Sequence, residues 1–285
     1  MKKTTTFLFC LALANISIMA FAQNKKTCTL NIATFNLRMD TPSDGENAWP
    51  KRKDMVKELI RFHDFDICGT QEGFEHQLDD ILELGNYAYV GVGRDDGKNA
   101  GEHSAIFYKK DRFEVLGKGD FWFSETPDIP SKGWDATCCN RICSWAKFKD
   151  KKSGKEFYVF NLHYDHEGRV ARRNSSLLLL ERIQDIAGDM PVFCTGDFNS
   201  TPEDEPIQII YNNGKLRDSY QVTLQPPYGT VGTFNSFNLH SPMKDRIDYI
   251  WVTEGIKVAK YGVLNEQQYG RFPSDHFPVM IKAVF

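Results

Sequence analysis

The chain has 285 residues, with 35 Lys and Arg against 38 Asp and Glu, and a formal net charge of −3. Proteins that hold long duplex nucleic acid through its phosphates favour a basic face, because counterion release drives that binding. The mildly acidic balance therefore argues against a high-affinity duplex binder and leaves short or small phosphate esters open.

Residues 1–22 predict a secretory signal peptide. Lys2 and Lys3 precede an apolar run, and Ala20 and Ala22 supply the small residues of a cleavage site. The run is shorter than the roughly 20 apolar residues of a spanning helix, which disfavours a membrane anchor. We expect export to the periplasm or the exterior, without stable membrane insertion. Loss of Lys2 and Lys3 would bring the mature chain near −5.

Residues 27–285 contain no Gly/Ser/Pro-rich linker, so we expect one domain there. Short apolar runs alternate with amphipathic ones, a pattern typical of an α/β domain. The predicted strands and helices, in chain order, are strand 30–35, helix 52–62, strand 65–69, helix 75–84, strands 105–108 and 157–162, helix 170–187, and strands 192–195, 249–252 and 277–284.

Polar side chains fall at the ends of these strands. Four strands finish in residues that bind metals or phosphates, namely Asn36, Glu72, His163 with Asp165, and Asp197 with Asn199. Asp248 and the pair Asp275 and His276 precede their strands instead. If all these groups meet at one edge, the last two strands run opposite to the first four, and the sheets are mixed. Strand ends are common places for binding sites.

The clustered residue types indicate metal-assisted phosphate chemistry. Carboxylates and amides offer oxygen ligands, which suit Mg²⁺, Mn²⁺ or Ca²⁺. A divalent ion there would polarise a phosphoryl oxygen and stabilise the leaving oxygen. His276, oriented by Asp248, is the candidate general base. His163 is the candidate donor to a non-bridging oxygen.

The motifs TFN, TQE, NLHYDHEG, GDFNS, RIDYIWV and SDHFPV follow one another in an order that resembles the endonuclease/exonuclease/phosphatase superfamily, typified by pancreatic deoxyribonuclease. The resemblance runs from about residue 30 to residue 284. It implies an α/β four-layer sandwich of two packed mixed β-sheets flanked by helices, formed by residues 27–285 as a catalytic domain. It also implies Mg²⁺ at Glu72, with Asn36 and Asp275 close to the ion.

The same resemblance implies roles for the remaining site residues. Asp197 and Asn199 would orient the nucleophile and the phosphate, and Asp248 with His276 would form the acid–base pair. Family members differ in which of the residues matching Asp197 and His276 takes the proton, and we assign His276. Two further carboxylates have supporting roles: Glu102, which would orient His163 unless it is only a turn residue, and Asp165.

Residues 120–145 are predicted to form a long loop rich in aromatic residues. Similar segments occur in a secreted bacterial branch of the superfamily. Trp122 and Trp134 could stack on a base or sugar, and Arg141 could contact a phosphate. The alternative is that both tryptophans pack the loop onto the body of the protein.

Six cysteines lie outside the predicted signal peptide. Cys68 and Cys194 occupy apolar runs and are expected to be buried. A disulfide involving Cys138, Cys139 or Cys143 stays open, and their spacing does not suit zinc.

The leading functional hypothesis is a secreted nuclease or phosphodiesterase that acts on short or single-stranded nucleic acid. A rival enzyme hypothesis is a phosphatase or phosphodiesterase of inositol phosphates, sugar phosphates or phospholipid head groups. A non-catalytic binding protein on the same fold is disfavoured, because the polar set is complete. Nothing in the sequence calls for an obligate protein partner.

Overall fold

The computed structural model describes residues 27–285, so the predicted signal peptide lies outside the described residues. The strands are β1 Thr29–Asn36, β2 Ile67–Gln71, β3 Tyr87–Val90, β4 Ile106–Lys109, β5 Phe113–Trp122, β6 Ile142–Asp150, β7 Glu156–His163, β8 Val192–Asp197, β9 Leu216–Asp218, β10 Asp248–Thr253, β11 Lys257–Val263 and β12 Val279–Val284. The helices are α1 Trp49–Phe62, α2 Glu75–Leu82, α3 Arg169–Ala187, α4 Glu205–Asn213 and α5 Ser219–Val222, and Pro42–Asn47 form a 3₁₀ turn.

Every predicted strand and helix is present within a few residues of its expected position. The sequence missed β3, β5, β6, β9, β11, α4 and α5. The predicted loop 120–145 was too long, because β5 takes its first three residues and β6 takes its last four. The β5 sequence FEVLGKGDFW mixes charges and glycines with apolar residues, as an edge strand allows, and this hid its strand period.

The strands form two six-stranded mixed sheets. Sheet 1 has the order β11-β12-β1-β2-β4-β3, and sheet 2 has the order β5-β6-β7-β8-β10-β9. β1 and β2 are parallel, as are β7 and β8, whereas β12 is antiparallel to β1 and β10 is antiparallel to β8. The expected reversal of the last two strands is therefore confirmed. In sheet 2 this register sets Asp197 directly opposite both His163 and Asp248.

Three apolar clusters separate four layers, which confirms the predicted sandwich. Ile32 and Ile281 of sheet 1 share the central cluster with Phe157 and Phe193 of sheet 2. A second cluster covers the outer face of sheet 1 with α1 and α2, and a third covers the outer face of sheet 2 with α3 and α4. No helix within residues 27–285 combines the length and apolar character that crossing a bilayer requires.

A buried polar network joins the two sheets. Asn161 of β7 donates from Nδ2 to the carbonyl oxygens of Thr70 and Ala105, at 2.8 and 2.9 Å. Its Oδ1 accepts from Gln71 Nε2 at 2.7 Å and from Thr195 Oγ1 at 2.9 Å. Gln71 and Thr195 lie one and two residues before Glu72 and Asp197, respectively. The network therefore fixes the distance between the strands that carry these two carboxylates.

Gly69 of β2 makes this close approach possible. A Cβ atom at this position would overlap Thr195 Oγ1 and Asn161 Oδ1, which both belong to sheet 2. A side chain there would push the sheets apart and break the network.

Asn161→Ala is expected to lower the free energy of unfolding by about 2–4 kcal/mol, because it leaves several buried polar groups without partners. Urea unfolding followed by fluorescence measures this change. The exposed Asn212 on α4 provides a control in the variant Asn212→Ala. A loss no larger than the control's would show that the sheets do not depend on Asn161.

Candidate active site

The polar strand ends meet in one cleft of about 530 Å³. Its lining consists of Arg38, Met39, Glu72, Arg94, Glu102, Cys138, Cys139, Arg141, His163, His166, Asp197, Asn199, Phe234, Asp275 and His276. Eight of the residues expected at the site therefore lie in the lining. Asn36 and Asp248 do not line the cleft, but they contact Asp197 and His276, respectively. The cleft spans both sheets, so neither sheet alone forms it.

Asn36 lies between two carboxylates. Its Nδ2 donates to Glu72 Oε1 and to Asp197 Oδ2, both at 3.0 Å, and its Oδ1 accepts from the backbone N–H of Arg38. The sequence predicted Asn36 as an oxygen ligand for a metal. In this structure its oxygen accepts one backbone hydrogen bond and keeps a second lone pair, so the metal-binding role of Asn36 stays a prediction, while its Nδ2 holds Glu72 and Asp197 together.

Glu72 is held from two sides. Besides the bond from Asn36, its Oε2 accepts from the backbone N–H of Met39 at 3.1 Å. Burial raises the pKa of Glu72, but the charge of His276 and these hydrogen bonds outweigh burial, so the net shift is downward. Glu72 is therefore ionised and suited to bind a cation.

Asp275 lies beside two groups that were absent from the predicted site. Its Oδ2 is 3.9 Å from Arg38 Nε, and its Oδ1 accepts from Ser274 Oγ at 3.3 Å. The Arg38 guanidinium also binds Asp44 with two bonds of 2.9 Å. Burial raises the pKa of Asp275, and the charges of His276 and Arg38 oppose this effect.

Asp248 and His276 form the predicted pair. His276 Nδ1 lies 2.9 Å from Asp248 Oδ2, and His276 Nε2 lies 3.8 Å from Asp197 Oδ2. Burial lowers the pKa of His276, but the charges of Asp248 and Asp197 raise it well above its usual value. His276 therefore carries a proton in this arrangement.

The pKa of Asp197 is raised to about 7. Burial is the main cause, and repulsion from Asp248 adds to it. Its Oδ1 accepts from the backbone N–H of Asn199 at 2.9 Å. A carboxyl group that titrates near neutral pH is well matched to accept a proton from water.

His163 lies beside Asn199 and Asp197. Asn199 Nδ2 lies 3.1 Å from His163 Nε2 and 3.0 Å from the carbonyl oxygen of Tyr164, and Asp197 Oδ2 lies 3.5 Å from the same ring nitrogen. Glu102 Oε2 is 3.9 Å from His163 Nδ1, too far for a hydrogen bond, and instead accepts from Arg94 Nη1 at 2.7 Å. The expected support of His163 by Glu102 is thus replaced by an ion pair, because Arg94 competes for the carboxylate.

Burial shifts the pKa values of both His163 and Glu102. Burial, followed by the charges of Arg141 and Arg94, lowers the pKa of His163 well below its usual value. Burial raises the pKa of Glu102 to about 7 despite the opposing charge of Arg94. His163 is therefore neutral beside two arginines.

Two site residues adopt left-handed backbone conformations. Glu72 has φ of 64° and Asn199 has φ of 46°, which are uncommon for residues with a side chain. Each lies just beyond a strand end. Such conformations persist where surrounding contacts hold them, as is frequent at functional sites.

Arg52 of α1 ties together the loops on one side of the cleft. The guanidinium is buried and donates to the carbonyl oxygens of Leu37, Arg38 and Pro273 at 2.5, 2.6 and 2.9 Å. It thereby links the loop after Asn36 to the segment before Asp275. A side chain that donates to distant backbone carbonyls leaves no pattern in the sequence, so the role of Arg52 could not be predicted.

The cluster suits a divalent cation. Oxygen or nitrogen donors of Glu72, His163 and Asp197 lie within 4.8 Å of one another, as do those of Asp197, Asp248 and His276. Four largely buried carboxylates are gathered here, those of Glu72, Asp197, Asp248 and Asp275. Glu72, Asp197 and Asp275 line the cleft and would hold a divalent ion through their oxygens.

Trp122, the last residue of β5, corrects one predicted role. Trp122 is only 5% exposed, and its Nε1 donates to the carbonyl oxygen of Arg94 at 2.7 Å. It therefore packs the loop onto the body and cannot stack on a substrate, because its ring is enclosed. Trp134 is half-buried and packs against the cluster on the outer face of sheet 2.

Arg141 and the cysteines of this loop reach the cleft. Cys138 is disulfide-bonded to Cys139, and both line the cleft, whereas Cys28, Cys68, Cys143 and Cys194 are free and buried. The expected burial of Cys68 and Cys194 is confirmed. Asp165, the other predicted supporting residue, lies 3.3 Å from Arg141 Nε.

Arg38, Arg94 and His166 also line the cleft, and the sequence analysis did not select them. Arg38 and Arg94 follow β1 and β3, and His166 follows β7 within NLHYDHEG. Their positions shortly after strand ends were the only sequence feature that pointed to the site.

The fold and the site define a phosphoesterase of the class that the sequence motifs resemble. The sequence profile described as "Endonuclease/Exonuclease/phosphatase family" matches residues 33–276. The chain belongs to this family, and it is a hydrolase that acts on phosphate esters.

Three known proteins show the range of its similarities. An endonuclease/exonuclease/phosphatase family protein from Bacteroides thetaiotaomicron is 45% identical, with a TM-score of 0.88 over 91% of this chain and 99% of that one. The mannosyl-6-phosphatase of the same species is also 45% identical, with a TM-score of 0.86 over 90% and 100% of the two chains. The Ccr4 3'-5'-exoribonuclease subunit of the CCR4-Not complex from Emericella nidulans is 23% identical over 81% of this chain, which spans about half (46%) of that protein.

His276→Ala is expected to leave Mn²⁺ binding nearly intact while lowering turnover about 100-fold or more. His276 contributes positive charge and no oxygen ligand, so its loss removes a proton donor without removing a metal ligand. Isothermal titration with Mn²⁺ and steady-state kinetics measure the two effects. The exposed His240 gives the matched control His240→Ala, and loss of metal binding together with turnover would make His276 structural.

Proposed function

We propose that this protein is an exported, Mg²⁺-dependent phosphatase that hydrolyses phosphate monoesters of small sugars. The observation that carries the proposal is the cleft itself, a small cavity in which Arg38, Arg94 and Arg141 lie beside the carboxylate cluster. The nuclease hypothesis that led the sequence analysis becomes the second candidate.

The charge distribution supports a small, multiply charged substrate. The whole chain is mildly acidic, yet three arginines are gathered in a cavity of about 530 Å³. Cavities of this size hold small molecules. A nucleic-acid strand would favour an extended basic groove with aromatic stacking platforms, and the burial of Trp122 removes the platform expected in this loop.

Similarity supports the same substrate class. The structure that is 45% identical over nearly the whole chain belongs to a mannosyl-6-phosphatase, whereas the Ccr4 relative is 23% identical. The exoribonuclease function of that relative is the observation that favours a nuclease as the second candidate.

The residues of the cleft divide the reaction among them. Glu72, Asp197 and Asp275 would hold Mg²⁺, which when bound supplies charge neutralisation for the phosphoryl oxygens. Mn²⁺ or Ca²⁺ would satisfy the same oxygen ligands. Asn199 is held by Tyr164 and Asp197, and it would orient the phosphate by turning to the substrate the Nδ2 hydrogen that now faces His163.

Proton transfer is assigned from the charge states. Asp197 accepts the proton of the attacking water, because its carboxylate lies between His163 and His276, at 3.5 and 3.8 Å from their Nε2 atoms. His276, kept protonated by Asp248, donates to a phosphoryl or leaving-group oxygen. This assignment reverses the sequence-based choice of His276 as the base.

The purified protein is expected to hydrolyse mannose 6-phosphate with a kcat/KM at least tenfold above that for a short single-stranded oligonucleotide. EDTA and Asp197→Ala should each abolish release of phosphate, since the first removes the ion and the second removes a ligand and the proton acceptor. Asp189→Ala, which removes an exposed carboxylate beyond α3, is the matched control. A preference for the oligonucleotide would establish the second candidate, and activity unaffected by EDTA would contradict the metal-dependent mechanism.

Export of the protein is part of the proposal and is supported by the leader pattern of residues 1–22. Expression of the full chain in a bacterial host should place it outside the cytoplasm with a new N-terminus near Gln23. Fractionation and N-terminal sequencing provide the measurement. An intact N-terminus at Met1 in the cytoplasmic fraction would refute export.

A further inference from the structure

We propose that Arg141 is the residue that selects phosphate monoesters over diesters, by binding the outermost oxygen of the phosphoryl group. The inference rests on the proposed phosphatase function and deepens it. A monoester carries up to two negative charges and three non-bridging oxygens, whereas a diester carries one charge and two such oxygens. A guanidinium at the third oxygen therefore favours the monoester, and in a diester the second ester group takes that place.

Arg141 is held rigidly at the start of β6. The residue is 5% exposed, its Nε lies 3.3 Å from Asp165 Oδ2, and its Nη2 donates to His166 Nδ1 at 2.6 Å. Asp165 is itself fixed, because its Oδ1 accepts from the backbone N–H groups of Glu167 and Gly168. A planar donor group held in this way loses little entropy when it binds an anion.

One nitrogen of the Arg141 guanidinium is available to a ligand. Among residues 27–285, its Nη1 has no hydrogen-bond partner, while Nε and Nη2 are engaged. Arg141 lines the cleft together with Asn199, and it lines a small buried cavity together with His163. The guanidinium therefore lines the same cleft as Asn199, the residue assigned to the phosphate in the proposed function.

The other two arginines of the cleft, Arg94 and Arg38, are each hydrogen-bonded to a carboxylate at short distance. Arg94 donates from Nη1 to Glu102 at 2.7 Å. Arg38 is likewise bound to Asp44 by two bonds of 2.9 Å. Arg141 has one contact of 3.3 Å to Asp165, whose other oxygen is occupied by backbone donors. Arg141 is therefore the arginine of the three with the longest contact to a carboxylate, which leaves its guanidinium the most open to a substrate anion.

The test compares p-nitrophenyl phosphate with bis(p-nitrophenyl) phosphate, because the two share one leaving group. In the Mg²⁺-loaded protein, Arg141→Gln is expected to lower kcat/KM for the monoester about 10- to 100-fold, and to change that for the diester less than threefold. The monoester-to-diester ratio should fall accordingly. Arg141→Lys, which keeps a charge but not the fork of donors, should give an intermediate ratio.

The controls separate selectivity from folding. Arg173→Gln removes a half-exposed arginine of α3 that pairs with Glu205 of α4, and the monoester-to-diester ratio of this variant should equal that of the unaltered protein. If Arg141→Gln does not fold, as thermal unfolding would show, Arg141→Lys and Asp165→Asn serve instead, and each should lower the ratio.

Two failures are distinguishable. If the unaltered protein hydrolyses only the diester, the proposed phosphatase function is wrong. If it hydrolyses the monoester but folded Arg141 variants lose both activities equally, or neither, the selective role of Arg141 is overturned while the phosphatase function stands.

Discussion

The concentration of four carboxylates in one largely buried cleft is the constraint on which the rest of this structure depends. Glu72 and Asp275 come from sheet 1, and Asp197 and Asp248 come from sheet 2. Buried like charges repel strongly because little water screens them. Burial, with repulsion from Asp248 added to it, raises the pKa of Asp197 to about 7, and the charges of Asp248 and Asp197 keep His276 protonated. The same concentration of carboxylates makes the cleft suited to a divalent ion and, through that ion, to a phosphate ester.

Such a cluster requires a rigid scaffold, and the polar network around Asn161 supplies it. A purely apolar contact between the sheets would tolerate small sliding movements, whereas directional hydrogen bonds fix the register. Arg52 performs a similar function for the loops, since its guanidinium joins the backbone after Asn36 to the backbone before Asp275. Neither residue lines the cleft, yet both determine where its ligands lie.

The walls of the cleft, in contrast to its floor, come from loops. Arg94 lies between β3 and β4 of sheet 1, and Arg141 and the Cys138–Cys139 disulfide lie between β5 and β6 of sheet 2. Within one fold, substrate preference commonly resides in such loops, while the chemistry resides in the strand ends. This division accounts for the presence of an exoribonuclease and a phosphatase among the proteins similar to this chain.

The sequence by itself determined the fold class, the mixed direction of the strands and most of the residues at the cleft. Apolar runs mark buried strands, and polar residues directly after them must lie at a sheet edge, so local pattern was sufficient. It could not reveal β5 or the enclosure of Trp122, because both depend on which neighbours cover a segment. It also could not show that Glu102 pairs with Arg94 or that Asn36 turns its oxygen to the backbone. Partner choice and proton affinity depend on distances between residues far apart in the chain, and only the tertiary structure decides those distances.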